Sequence, residues 1–195
     1  KALQSELFEH VVVSSDSDEI IDKAKSFGAE SWFIRPAELA TDEAPKIPVI
    51  RHALRKAEKH YNNTFDVVVD LDTTSPLRIV DDIIDSYQQF LDEKSDILIT
   101  ACPAKKNPYF NMVEIEKGRV QLVKQLKQFP GSRQKAPQVF DMNASIYIWK
   151  REALLKNDTL FTNNTTLYIM PEERSVDIDN KIDWAFVENI IRKSM

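Results

Sequence analysis

Residues Val67–Arg78 read VVVDLDTTSPLR, a β-branched run that breaks into two acids, two threonines and a Ser-Pro pair. Phe65–Leu71 is short, apolar and β-rich, the pattern of a strand buried on both faces in a parallel sheet. Ser75 can cap a helix whose first position is Pro76, where the missing N–H costs nothing. Val80, Ile83, Ile84, Tyr87 and Leu91 then recur at helical spacing. The stretch therefore predicts a strand, a tight turn and a helix. Ligands in open α/β sheets bind beyond the carboxyl ends of strands, so Asp72, Thr73, Thr74, Ser75 and Arg78 stand where a site is expected.

Strands and helices alternate outward from this unit. Lys1–Phe8 reads as the tail of a helix, feeding a strand at His10–Val13, a Ser/Asp turn and a helix closed by Gly28. A short strand at Ser31–Ile34 leads through Arg35-Pro36 and two further prolines to a helix carrying Val49, Ile50, Ala53, Leu54 and Ala57. Downstream come a strand at Asp96–Ala101, a strand at Asn143–Trp149, a short helix at Arg151–Lys156 and a strand at Thr166–Met170. Ile182, Phe186, Val187, Ile190 and Ile191 close the chain on one helical face. This grammar predicts an α/β, Rossmann-like, mostly parallel sheet flanked by helices. Lys105–Gln138 breaks it with short alternating runs such as MVEIE and RVQLV, and is expected to project as a β-hairpin arm.

The 195 residues are 43% apolar, enough for one well-packed core, so a single domain over 1–195 is expected, with the arm (105–140) inserted in it. A balance of 26 basic and 31 acidic residues, with no basic cluster, favours neither nucleic acid nor an anionic membrane as partner. There is no apolar run of membrane-spanning length and no export leader, and a lone Cys102 fits a reducing compartment, so a cytoplasmic location is expected. The three glycines form no phosphate-cradling loop pattern.

Asp177-Ile178-Asp179 lies just before the last helix. In an extended segment, residues two apart face the same side, so these carboxylates can converge on one magnesium ion. The other reading is a polar turn whose acids suit the positive end of that helix. Asp183 fits the helix start better than a metal site. Arg35, at a strand end before proline, could hold phosphate or a base carbonyl, or make a surface ion pair. Arg133 and Lys135 could grip an anionic substrate or simply be solvated, Tyr147 fits a core position, and Asn143 fits a strand-entry turn. The three histidines lack metal-ligand spacing.

DLDTT on its own is similar to the DxDxT motif of haloacid-dehalogenase-like phosphatases, which would make Asp70 a nucleophile and Asp72 an acid/base. Taken in order, however, the segments HVVVSSDSDEI, FIRPAELATDEAP, LDTTSPLR, RQKAPQVFDMNASIYI and LYIMPEERSVDIDNKIDW resemble the acylneuraminate cytidylyltransferase family along almost the whole chain. The phosphatase motif leaves RPAEL, SPLR and SVDID unexplained.

The resemblance implies a homodimer that joins CMP from CTP to a nine-carbon sugar acid and releases pyrophosphate, with magnesium offsetting the charge that builds on phosphate. Position by position it implies Arg35 for the cytidine moiety and Asp177 and Asp179 for the metal. Asp72, Asn143, Tyr147 and Phe161 would line the sugar pocket, and Arg133, on the dimerisation arm, would hold the sugar carboxylate in the neighbouring subunit. Many sialic-acid members carry Gln where this chain has Asp72, which makes a legionaminic- or pseudaminic-type acid an expected substrate class. Pro45 and Lys46 replace the family's serines, so the resemblance implies no nucleotide contact there. Nothing before Lys1 resembles the family's opening strand and triphosphate loop. A chain shortened at its N-terminus is therefore expected, and a noncatalytic dimer that binds sugar acids stands as the alternative.

Overall fold

The main sheet has the order β1 (Val67–Leu71), β5 (Phe140–Lys150), β2 (Ile97–Pro103), β6 (Thr165–Ile169), in a computed structural model that describes residues 1–194. β5 runs antiparallel to both neighbours, and β2 pairs parallel with β6. β1, β2 and β6 therefore share one direction, which β5 alone opposes. The two central strands are mostly apolar over Ile97–Cys102 and Ile146–Trp149, where both their faces are covered. Leu98, Ile146 and Ile148 pack on one face with Ile83 and Phe90 of α3 (Val80–Asp92). Ile97, Ile99, Tyr147 and Trp149 pack on the other with Ile47, Ile50 and Leu54 of α2 (Lys46–Tyr61) and Leu154 of α4 (Arg151–Lys156).

Two further helices, α1 (Asp18–Ser26) and α5 (Lys181–Ser194), complete the helical elements. Within 105–140 lies the expected hairpin, β3 (Val113–Glu116) paired with β4 (Arg119–Leu122) as a separate two-stranded sheet. Its tip is Lys117-Gly118, both at positive φ (52° and 75°), which matches the right-handed twist of a tight hairpin.

Several expected features are corrected. Lys1–Phe8 forms only a 3₁₀ turn at Leu3–Ser5, ended by Glu6 in the left-handed region. His10–Val13 and Ser31–Ile34 do not become strands of the sheet: they meet in one bridge, Val12 to Glu30, with Val13 N donating to Glu30 O at 2.8 Å. A groove of about 1030 Å³ separates this pair from β1, lined by Val11–Ser14 on one side and Val67–Leu71 on the other. β1 is an edge strand, pairing with β5 alone, and is only half-buried. The helix after β1 begins at Val80 rather than Pro76. Asp82 supplies its cap, accepting from Ile79 N at 2.9 Å, while Ser75 is fully buried and donates its hydroxyl to Asn143 O. Conversely α2 starts at Lys46, because Pro48 falls in the first turn, where no N–H is needed.

Candidate active site at the carboxyl end of β1

Asp70 and Asp72 stand two apart at the end of β1, so their side chains leave the strand on one side. Lys46, the first residue of α2, meets both: Nζ lies 3.0 Å from Asp70 Oδ2 and 2.8 Å from Asp72 Oδ2, and 4.6 Å above the Tyr147 ring. Asp72 Oδ1 accepts from Thr74 N and Thr74 Oγ1 at 3.2 and 2.8 Å. Burial works against the Lys46 charge, but the two carboxylates outweigh it and hold the ammonium above the ordinary lysine value. Burial likewise works against ionised Asp72, yet the Lys46 and Thr74 hydrogen bonds hold its carboxyl below the usual range. The buried Tyr147 hydroxyl is pushed up, first by desolvation, and the charges of Asp70, Asp72 and Asp177 add to it while Lys46 opposes.

Two connections bring the second acidic pair to this place. Ile178 N donates to Thr74 O at 2.9 Å, tying Asp177-Ile178-Asp179 to the turn that follows β1. Arg174 then binds the buried Asp82 of α3 through Nε (2.9 Å) and Nη2 (2.8 Å), a two-pronged contact that anchors the chain leading into the acids. The start of α5 is capped by other residues: Asn180 Oδ1 accepts from Ile182 N, and Asp183 Oδ2 accepts from Asn180 N. Asp183 is thus a capping residue, as expected, and the caps leave Asp177 and Asp179 uncommitted to the helix end. Asp177 Oδ1 is buried with no hydrogen-bond partner among the described residues. A buried carboxylate oxygen without a donor is costly, and the donor set suits a hard divalent cation.

The other expected residues divide clearly. Arg35 lines the groove and is fixed to Ser14, through Nε to Oγ at 3.2 Å and Nη2 to the carbonyl. Asn143 is buried in a β-bulge of β5, where its Oδ1 accepts from Thr100 Oγ1 (2.7 Å) and its Nδ2 donates to Ser175 Oγ (2.9 Å). Its amide is used within the protein. Arg78 is also internal, donating to Ser145 O at 2.8 Å and to Asp72 O. Phe161 is 64% exposed on the loop after α4, and Arg133 is exposed and donates to Ala104 O at 2.7 Å; neither lines the groove. Lys46 and Arg174 were not singled out for this site from sequence. Lys46 had one local signal, a cation in a helix first turn that holds no acid.

The cytidylyltransferase family profile matches residues 1–186. Post-translational flagellin modification protein B of Campylobacter coli is 46% identical over 193 residues, covering 99% of this chain and 81% of the relative. CMP-N,N'-diacetyllegionaminic acid synthase of Campylobacter jejuni is 47% identical over 191 residues, 98% of this chain and 80% of the relative. Among solved structures, CMP:2-keto-3-deoxy-manno-octonic acid synthetase complexed with CTP aligns over 100% of this chain and 85% of that one, with a TM-score of 0.70 at 14% identity. That likeness supports the fold, and the phosphatase reading of Asp70 and Asp72 has no counterpart in any of these matches. The chain belongs to the cytidylyltransferase family.

Proposed function

We propose that this chain transfers CMP from CTP to a nonulosonic acid of the N,N'-diacetyllegionaminic type, with release of pyrophosphate. The observation that carries the reading is the meeting of two acidic pairs at the carboxyl end of β1, joined by the Ile178–Thr74 hydrogen bond. The choice of sugar rests on the 47% identity to the legionaminic acid synthase. An N-acylneuraminate substrate is the other arm of the test, since a relative of that name is 28% identical over 98% of this chain.

Asp177 and Asp179 would hold magnesium, and the orphaned Asp177 Oδ1 supports that assignment. The ion supplies positive charge to phosphate oxygens as pyrophosphate leaves. Arg35, held at the groove wall by Ser14, would meet the cytidine moiety of CTP. Asp72 and Tyr147 face the sugar acid, and Asn143 buttresses the bulge behind them. Arg133, outside the groove lining, would need a second subunit to reach the sugar carboxylate, and Phe161 would line the sugar pocket only from outside this groove. The homodimer itself draws support from the hairpin, where Val113, Ile115 and Val120 are all more than 60% exposed. Ile115→Glu with Val120→Glu should convert the dimer to monomers in sedimentation. A cytoplasmic location fits the need for CTP and the buried free thiol of Cys102.

The test is pyrophosphate release from CTP and magnesium with diacetyllegionaminic, pseudaminic and N-acetylneuraminic acids. Release dependent on the diacetyllegionaminic acid is expected. Phosphate release from phosphomonoesters, or sugar-acid binding without turnover, would overturn the reading.

A further inference from the structure

Lys46 opens α2 against the electrostatics of its own helix, because an ammonium in the first turn faces the positive end of the dipole and no acid there compensates. Its partners lie across the groove mouth instead, at Asp70 and Asp72. The valences of this cluster can be counted. An ionised carboxylate offers about four acceptor positions. Asp72 uses two on Oδ1 for Thr74 and one on Oδ2 for Lys46, so one acceptor position remains on Oδ2. An ammonium has three donors. Lys46 donates one to Asp72 Oδ2 and faces Asp70 Oδ2 as an ion pair at 3.0 Å, which leaves a donor for a ligand. The side chains of Lys46 and Asp72 are 35% and 24% exposed, and both line the groove, so a ligand can reach the spare donor and the spare acceptor together. One donor beside one acceptor is the complement of a hydroxyl group.

We infer that Lys46 and Asp72 act as one substrate-binding unit that recognises a hydroxyl of the sugar acid, with Asp72 Oδ2 accepting its proton and Lys46 Nζ donating to its oxygen. The inference rests on the cytidylyl-transfer reading and adds a residue that reading does not use. Lys46 also keeps Asp70 and Asp72 from facing each other as bare like charges, which would drive one of them to take up a proton.

The experiment is steady-state kinetics of pyrophosphate release with the full-length protein. Wild type is compared with Lys46→Arg, Lys46→Met, and Lys46→Met combined with Asp70→Asn. The double variant keeps the cluster's net charge while removing the ammonium donor. The sugar KM should rise about tenfold, equivalent to roughly 1.4 kcal/mol, in both Met variants, with the CTP KM within about twofold and partial recovery in Lys46→Arg. Monodeoxy analogues of the sugar acid locate the hydroxyl: one analogue should lose about tenfold on wild type and almost nothing on the double variant. A rise in the CTP KM instead, or equal losses on every analogue in both proteins, would overturn the inference while leaving the activity in place. If wild type itself releases no pyrophosphate with any sugar acid, the underlying reading has failed instead. Circular dichroism melting confirms that each variant is folded before its kinetics are compared.

Discussion

Asp70-Leu71-Asp72 and Asp177-Ile178-Asp179 share one spacing and meet at one end of the sheet, yet their surroundings make them different chemical objects. The first pair leaves the end of a strand and is answered at once by an internal cation, Lys46. The second sits in an irregular segment held by the Ile178–Thr74 hydrogen bond. Asp70 Oδ2 and Asp177 Oδ1 are both buried without a hydrogen-bond donor among the described residues, but only Asp70 Oδ2 has an ammonium beside it, Lys46 at 3.0 Å. The identical DxD pattern fixes where the carboxylates can point. What they can bind is decided by residues from other elements: a lysine at the start of α2 in one case, and in the other Asn180 and Asp183, which cap α5 in place of the acids.

The contrast can be broken most severely at the second pair. Asp177→Asn should lower kcat/KM by about a thousandfold, the scale of losing transition-state charge stabilisation, while Asp70→Asn should cost far less in the same assay. Next in size is the anchor of the second pair. Asp82 is 1% exposed, and Arg174→Met leaves its charge without its guanidinium partner. Urea unfolding should show a loss of about 3 kcal/mol, and the magnesium requirement should rise because the 175–179 segment loses one of its anchors.

The first pair makes a prediction about pH. The Asp72 carboxyl is depressed in the folded protein, so its contribution is complete above its unfolded value and is lost as pH falls through the folded one. The difference in unfolding free energy between wild type and Asp72→Asn should therefore be level from neutral pH down to about 5 and shrink below about 4. The smallest expected effect is a gain. Ala144 lies in the β5 bulge behind both pairs at φ 51°, a left-handed conformation that a Cβ disfavours. Ala144→Gly should raise stability by about 1 kcal/mol with unchanged KM values.

Much of the frame was legible because periodicity reports burial. β2 and the Ile146–Trp149 half of β5 are apolar runs, and both strands were placed within a few residues, as were α3, β6 and the hairpin. The readings that failed depend on long-range partners. His10–Val13 has the composition of a strand, but among the described residues its backbone meets only Glu30, through one bridge, and forms no ladder with β1. Ser75 looks like a helix cap, yet burial against Asn143 takes its hydroxyl and Asp82 takes over the cap. The same holds for the site. Asp72 stood out by its place after a strand and Asp177 and Asp179 by their spacing, with their roles given by the family resemblance, whereas Lys46 and Arg174 act on residues far away in sequence, and local pattern carries only the faint signal of a misplaced helix charge.

The most direct measurement is a magnesium titration of pyrophosphate release from CTP and diacetyllegionaminic acid by wild type, Asp179→Asn and Asp72→Asn. The account predicts that Asp179→Asn raises the magnesium half-saturation point by at least about tenfold, whereas Asp72→Asn leaves it near wild type and raises the sugar KM. Equal shifts in magnesium half-saturation for both variants would contradict it, because the two acidic pairs would then be serving one metal rather than two different partners.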